Sequence, residues 1–266
     1  MKRICWLTDI HLNFLLSEAV REFLLSVAQL RADAVVVSGD IAEAHNVCDY
    51  LERMRELIGA PIYFVLGNHD FYRGSIVDVR RRVNEFCAKQ SGLTYLTTAG
   101  VIPLTERTAL AGQDGWADGR EGDYLGSLVS MMDYVLIAEL SDLTKTARWD
   151  VLKALGDEAA DHARRVLPAA FEQFEDVLFV THVPPLRGAC WHEGQLSDDH
   201  WAPHFTCRAL GDVLMEVMQA RPQKNLTVLC GHTHGAGQCQ PLPNLTIYTG
   251  AAEYSQPAVQ RMLEVE

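Results

Sequence analysis

Residues 64–72 read FVLGNHDFY. An apolar run, Phe64-Val65-Leu66, meets Gly67, and then Asn68, His69 and Asp70 arrive together. A polar turn is one reading, because Asn, Asp and Gly all favour turns. A site built where a buried strand ends is the other, and the rest of the chain decides between them.

Working outward, the same pattern recurs. The strand behind GNHD reaches back to Pro61. Upstream, ADAVVVSGD (32–40) is a continuous apolar run ending in Gly39-Asp40, as expected of a strand covered on both faces. RICWLTDI opens the chain with a strand over 3–8 that runs into Asp9. Helical periodicity fills 17–31, 45–58 and 75–90. This βαβαβα order favours a parallel sheet with right-handed crossovers. Short strands follow near 101–104 and 107–112, then the glycine-rich loop GQDGWADGREGD at 112–123. Helices are expected over 124–140 and 144–174, broken near Gly156 and Pro168. DVLFVTHVPP (176–185) and NLTVLCGHTHG (225–235) are again strands that run into histidines, separated by a helix at 207–220. Strands near 237–240, 244–249 and 258–264 close the chain. With no repeat or linker, one domain over 1–266 is expected, carrying a helical segment at about 124–174.

Composition sets the class. The 266 residues, 48% hydrophobic and 22% charged, are enough for one large domain with a full core, or two small ones. A net charge of -12 argues against a nucleic-acid platform or an anionic membrane surface. No stretch of about 18 apolar residues is present, so no membrane-spanning helix is expected. The first strand begins almost at once, so no cleavable leader is expected either. Seven cysteines without CxxC spacing fit reduced thiols and a cytoplasmic location, although a Cys190–Cys207 disulfide is compatible with the sequence.

Polar groups therefore follow five strands: Asp9 and His11; Asp40; Asn68, His69 and Asp70; His182; His232 and His234. In open α/β sheets ligands bind beyond the carboxyl ends of strands, so all five can face one crevice. Imidazole mixed with carboxylate suits Zn, Fe or Mn better than Mg or Ca. The lack of cysteine at these positions argues against a structural zinc site. His232 and His234 would face one way in an extended segment, whereas a loop can aim them at two different ions.

Taken in order, D-x-H (Asp9, His11), G-D (Gly39, Asp40), G-N-H-D (Gly67 to Asp70), His182 before V-P-P and G-H-x-H (Gly231 to His234) resemble the calcineurin-like metallophosphoesterase superfamily. The resemblance spans residues 9–234 and implies an α/β fold: a four-layer α/β/β/α sandwich with two mixed sheets. It implies two metal ions, one held by Asp9, His11 and His234, the other by Asn68, His182 and His232, with Asp40 bridging. His69 would face the substrate as an imidazolium proton donor, and Asp70 would brace its ring. The activity implied is phosphoester hydrolysis by hydroxide activated on Mn, Fe or Zn. GDIAEAH and LGNHD depart from the G-D-x-V-D-R-G and R-G-N-H-E of serine/threonine protein phosphatases, which disfavours phosphoproteins as substrates.

A small anionic phosphodiester or nucleotide is the expected substrate. Arg73 could grip a phosphate oxygen, and Trp116 and Arg120 sit on the glycine-rich loop. Trp191 and Trp201, in CWHEGQLSDDHWAPHF (190–205), could stack on a flat group, with His192, His200 and His204 adding polar contacts. The competing readings are a non-catalytic scaffold of the same fold, which generally lacks some ligand, and a nuclease, which the acidic balance disfavours.

Overall fold

The computed structural model describes residues 1–266. Its strands are β1 (Lys2–Leu7), β2 (Ala34–Ser38), β3 (Ile62–Val65), β4 (Leu93–Tyr95), β5 (Ile102–Pro103), β6 (Thr108–Gly112), β7 (Asp176–Val180), β8 (Trp191–His192), β9 (Gln195–Leu196), β10 (Asn225–Cys230), β11 (Gly237–Leu242), β12 (Leu245–Thr249) and β13 (Val259–Val265). Its helices are α1 (Ser17–Gln29), α2 (Val47–Ile58), α3 (Ile76–Cys87), α4 (Leu96–Ala99), α5 (Asp133–Leu136), α6 (Lys145–Gln173), α7 (Ala202–Phe205) and α8 (Arg208–Gln219).

Both large sheets are mixed. The first runs β13-β1-β2-β3-β4, parallel except for β13, which returns antiparallel to β1. The second runs β11-β12-β10-β7-β6-β5, with four parallel strands between antiparallel edges. Side chains alternate across each strand, and the cores follow that alternation. Cys5 and Leu7 of β1 pack on the α1–α3 side with Leu24, Leu51 and Val79. Ile4 and Trp6 of the same strand meet Leu110, Leu178 and Leu229 of the second sheet. Val177, Phe179 and Val228 turn the other way, onto α6 and α8 through Ala163 and Leu214. Three cores thus separate four layers, α/β/β/α, as the family resemblance implied.

The helical expectation for 124–174 holds only in part. Residues 124–132 are not helical, and α5 is a single short turn. Side chains there compete for the backbone. Asp123 Oδ1 accepts from Gly126 N at 2.9 Å, and Ser127 Oγ accepts from Val129 N at 3.1 Å while donating to His200 O at 2.8 Å. Conversely, α6 runs unbroken through Gly156 and Pro168. A Cβ on Gly156 would lie 2.6 Å from Asp118 Cβ, so this glycine permits close packing rather than a break. Pro168 costs roughly 3 kcal/mol in a helix interior. Its neighbours Leu167, Ala170 and Phe171 are buried in the second-sheet core, which offsets that cost.

All seven cysteines are free, Cys190 and Cys207 included. No helix is long and apolar enough to cross a membrane.

Candidate metal centre

The five polar groups follow β1, β2, β3, β7 and β10, and the two sheets bring those strand ends to one edge. The turns are sharp. Asp9, His11, Asp40, His232 and His234 have φ of 47°, 39°, 54°, 70° and 58°, a left-handed region that is costly for residues with a Cβ and concentrates at functional sites. Two motif glycines are explained by close approach. A Cβ on Gly67 would lie 2.2 Å from Asp40 Oδ1, and one on Gly231 would lie 2.0 Å from Asp9 Oδ2.

One cluster gathers Asp9, His11, Asp40 and His234, whose donor atoms all lie within 4.8 Å of one another. His11 Nε2 is 3.2 Å from His234 Nε2 and 3.7 Å from Asp40 Oδ2, and His234 Nε2 is 3.6 Å from Asp9 Oδ1. Thr8 Oγ1 donates to Asp9 Oδ2 at 2.6 Å, and His232 N donates to Asp9 Oδ1 at 3.0 Å, fixing that carboxylate.

The second cluster is Asn68, His182, His232 and the other oxygen of Asp40. His182 Nδ1 lies 2.8 Å from Ser38 O, and His232 Nε2 lies 3.0 Å from His204 O. A carbonyl oxygen only accepts, so each of these ring nitrogens carries the proton. The opposite nitrogen of each neutral ring then offers a lone pair. Both lone pairs approach Asn68 Oδ1, at 2.9 Å each. Asn68 Nδ2 donates to Asp133 Oδ1 at 2.9 Å and to Tyr72 Oη at 3.2 Å, which turns its oxygen towards the rings. Asp40 Oδ1 adds a further acceptor 3.4 Å from His182 Nε2. Acceptors that converge with no hydrogen between them repel, and a cation among them removes the conflict.

The electrostatics agree. Burial, then Asp9 and Asp70, push Asp40 well above the usual carboxylate range. Burial, then His182, pulls His232 down to about 4, and burial also lowers His182 and His11. A buried cation favours ionised carboxylate and neutral imidazole together. The donor set therefore fits a pair of metal ions.

His69 and Asp70 behave differently from expectation. Asp70 Oδ1 accepts from Ile41 N at 3.0 Å and Ala42 N at 2.8 Å, and Oδ2 accepts from Gly67 N at 2.9 Å. Its capacity goes to backbone, so it ties the Asp40 loop to the GNHD loop and does not brace His69. His69 Nδ1 is buried without a partner. Burial, then His182, His234 and His232, pulls His69 down to about 3, which works against the expected imidazolium. Its Nε2 lies 4.0 Å from Asp40 Oδ2 and 3.5 Å from Tyr254 Oη.

Residues 2–236 match the calcineurin-like phosphoesterase family. The chain belongs to that family. It is accordingly a metal-dependent phosphoesterase, a hydrolase. A dimetal phosphatase from Danio rerio has a similar structure, with a TM-score of 0.61 at 14% identity over 96% of this chain and 89% of that one. A phosphopantetheinyl hydrolase from Mycobacterium tuberculosis has a TM-score of 0.65 at 13% identity, over 94% and 89%. At such identities the likeness shows the fold. No curated protein sequence matches this one.

In this calcineurin-like phosphoesterase each cluster opens in part onto a cavity of about 360 Å³. Asp40, Asn68, His69, His232 and His234 line it, and Tyr72, Met131, Met132, Trp201, Phe205 and Tyr254 contribute to its walls. Of the five side chains expected to bind substrate, Trp201 alone lines this cavity. Arg73 is paired with Glu43 instead. Trp116 is 4% exposed and packs 5.6 Å from the Phe71 ring in the core. Arg120 is held by Asp118 at 3.0 Å and Asp157 at 2.8 Å, bracing the glycine-rich loop against α6. The Trp191 ring lies over the backbone of Gly237, where a Cβ would come within 1.9 Å. His204 is buried between Tyr134 Oη at 2.5 Å and Ser127 Oγ at 3.1 Å, and its carbonyl orients His232. Asp133, Met131, Met132 and Tyr254 were not foreseen. None stands in a motif, and Tyr254 lies beyond the matched residues.

Proposed function

We propose that the protein is a dinuclear metal-dependent phosphohydrolase that cleaves a small phosphodiester or nucleotide. The observation that carries this is the division of Asp40. One oxygen faces His182 of the Asn68–His182–His232 cluster, and the other faces His11 of the Asp9–His11–His234 cluster. A carboxylate so placed would hold an ion on each side, one oxygen for each. Mn, Fe or Zn suits the mixed nitrogen and oxygen donors. When bound, such ions polarise phosphate oxygens and lower the pKa of water towards about 7.

The chain's own groups position and discriminate. Neutral His69 presents Nε2 to the cavity, where an N–H donates to a phosphoryl oxygen. Approach of an anionic phosphoryl group raises the His69 pKa again, which is the route back to the proton-donor role. Asp133 and Tyr72 hold the Asn68 amide, and Asp70 holds two ligand loops in register. Trp201, Phe205 and Tyr254 offer flat surfaces to the esterified group. One domain and a cytoplasmic location complete the reading, the latter on the cysteine pattern of the sequence.

Hydrolysis of an aryl phosphodiester and an aryl phosphomonoester, with manganese and after chelation, tests it. Metal-dependent turnover of the diester is expected. A protein that retains both ions and hydrolyses neither ester would be a scaffold, and the proposal would fail.

A further inference from the structure

Exposed large apolar side chains are unevenly placed on this acidic protein. Leu125, Leu128, Met132 and Val135 fall within one short segment, with Leu128 96% and Met132 55% exposed. That segment borders the metal cavity. Met131 and Met132 form part of the cavity wall, and Ser130 and Trp201 are shared with a second cavity of about 390 Å³. The second cavity is completed by Leu128, Val129 and His200. Trp201 stands between the two, stacked on Phe205 at 5.0 Å and set against His192 at 4.8 Å, so its ring is fixed from behind. Across the mouth, exposed Tyr254 packs against exposed Phe14 at 5.1 Å.

Two further facts select the occupant. No Lys or Arg lines either cavity, so neither offers a permanently charged side chain to a second phosphate or carboxylate on the substrate. Each volume falls in the range of about 300–1,000 Å³ typical of small-molecule sites. Apolar surface left exposed in this way marks a binding surface. Here it is continuous with the place where a phosphoryl group would sit.

We infer that the substrate is an amphiphilic phosphoester. Its phosphoryl group lies over the His69–Asp40 floor, and an uncharged apolar substituent passes the Trp201 ring to Leu128 and Val129. This rests on the proposed phosphohydrolase reading and narrows it: nucleoside polyphosphates are disfavoured, because no Lys or Arg waits for their further phosphates.

Titration calorimetry of the manganese-loaded protein with methyl, butyl and octyl phosphate tests the inference. Octyl phosphate is expected to bind about tenfold tighter than butyl phosphate, part of what full burial of the added CH₂ groups would give. The double variant Leu128→Ser, Val129→Ser should cut that gain to about twofold. Leu128 is almost wholly exposed and Val129 is half-buried outside the three hydrophobic cores, so the double variant leaves those cores intact. Equal affinities, or a gain that survives the double variant, overturn the inference. So does a stable dimer that covers the strip and excludes octyl phosphate. Binding and turnover separate the two claims. Flat affinity with normal hydrolysis of aryl esters contradicts the subsite alone, and chain-dependent binding without any hydrolysis contradicts the proposed function alone.

Discussion

Asp40 sits at φ 54° with its Oδ1 against the bare Cα of Gly67, which directs the carboxylate into the gap between the two histidine clusters. His69 lies beside it but donates its backbone N–H, at 2.9 Å, to Asp40 Oδ1 and turns its ring to the cavity. Removing that ring should therefore spare the ions. His69→Ala is expected to keep full metal content while kcat falls by about 10²–10⁴; metal analysis beside steady-state kinetics checks both, and loss of metal would make His69 a ligand. At this scale the candidate ligands were legible because each follows a strand directly, and the local backbone carries it to the sheet edge. Arg73, Trp116, Arg120 and Trp191 were misread because a long side chain goes where its partner is. Glu43, Phe71, Asp157 and Gly237 are partners that spacing does not reveal.

Short as it is, α5 places buried Asp133 where Oδ1 accepts from both Asn68 Nδ2 at 2.9 Å and Tyr72 Oη at 2.8 Å. Without that acceptor the Asn68 amide is free to turn its oxygen away from the His182 and His232 rings. Asp133→Leu should lower metal affinity about 10- to 100-fold with the fold retained, and Asp133→Asn, which keeps an acceptor oxygen, should restore most of it. Competitive chelation with circular dichroism measures this; equal affinity in wild type and Asp133→Leu would remove Asp133 from the account. Helices α1 to α3 were legible from their 3.6 periodicity. The segment before α5 was not, because its apolar residues resemble a helix while Asp123 and Ser127 spend their side chains on nearby backbone. The continuity of α6 was also hidden, since a glycine that admits Asp118 and a glycine that ends a helix look alike in sequence.

Across the whole molecule, the continuous apolar runs read correctly as strands covered on both faces, the stacking of two sheets came from the resemblance carried by the ordered motifs, and the pairing of β13 with β1 had no local signature. Global stability offers its own test through His204. Burial, then Lys145 and His232, lowers it from 6.5 to about 4 in the fold. Between those values the unfolded chain binds a proton that the folded chain does not. This contribution is thus complete above pH about 6.5 and is lost as pH falls towards about 4, by up to about 3 kcal/mol. Urea denaturation of metal-free protein at neutral pH and near pH 4 should show a smaller loss for His204→Gln than for wild type; identical losses would contradict the assignment.

Anomalous diffraction from crystals grown with manganese measures the paired site itself. Two peaks are predicted, one among Asp9, His11 and His234 and the other among Asn68, His182 and His232, with one oxygen of Asp40 on each. A single peak, or two peaks that Asp40 does not join, would contradict the account.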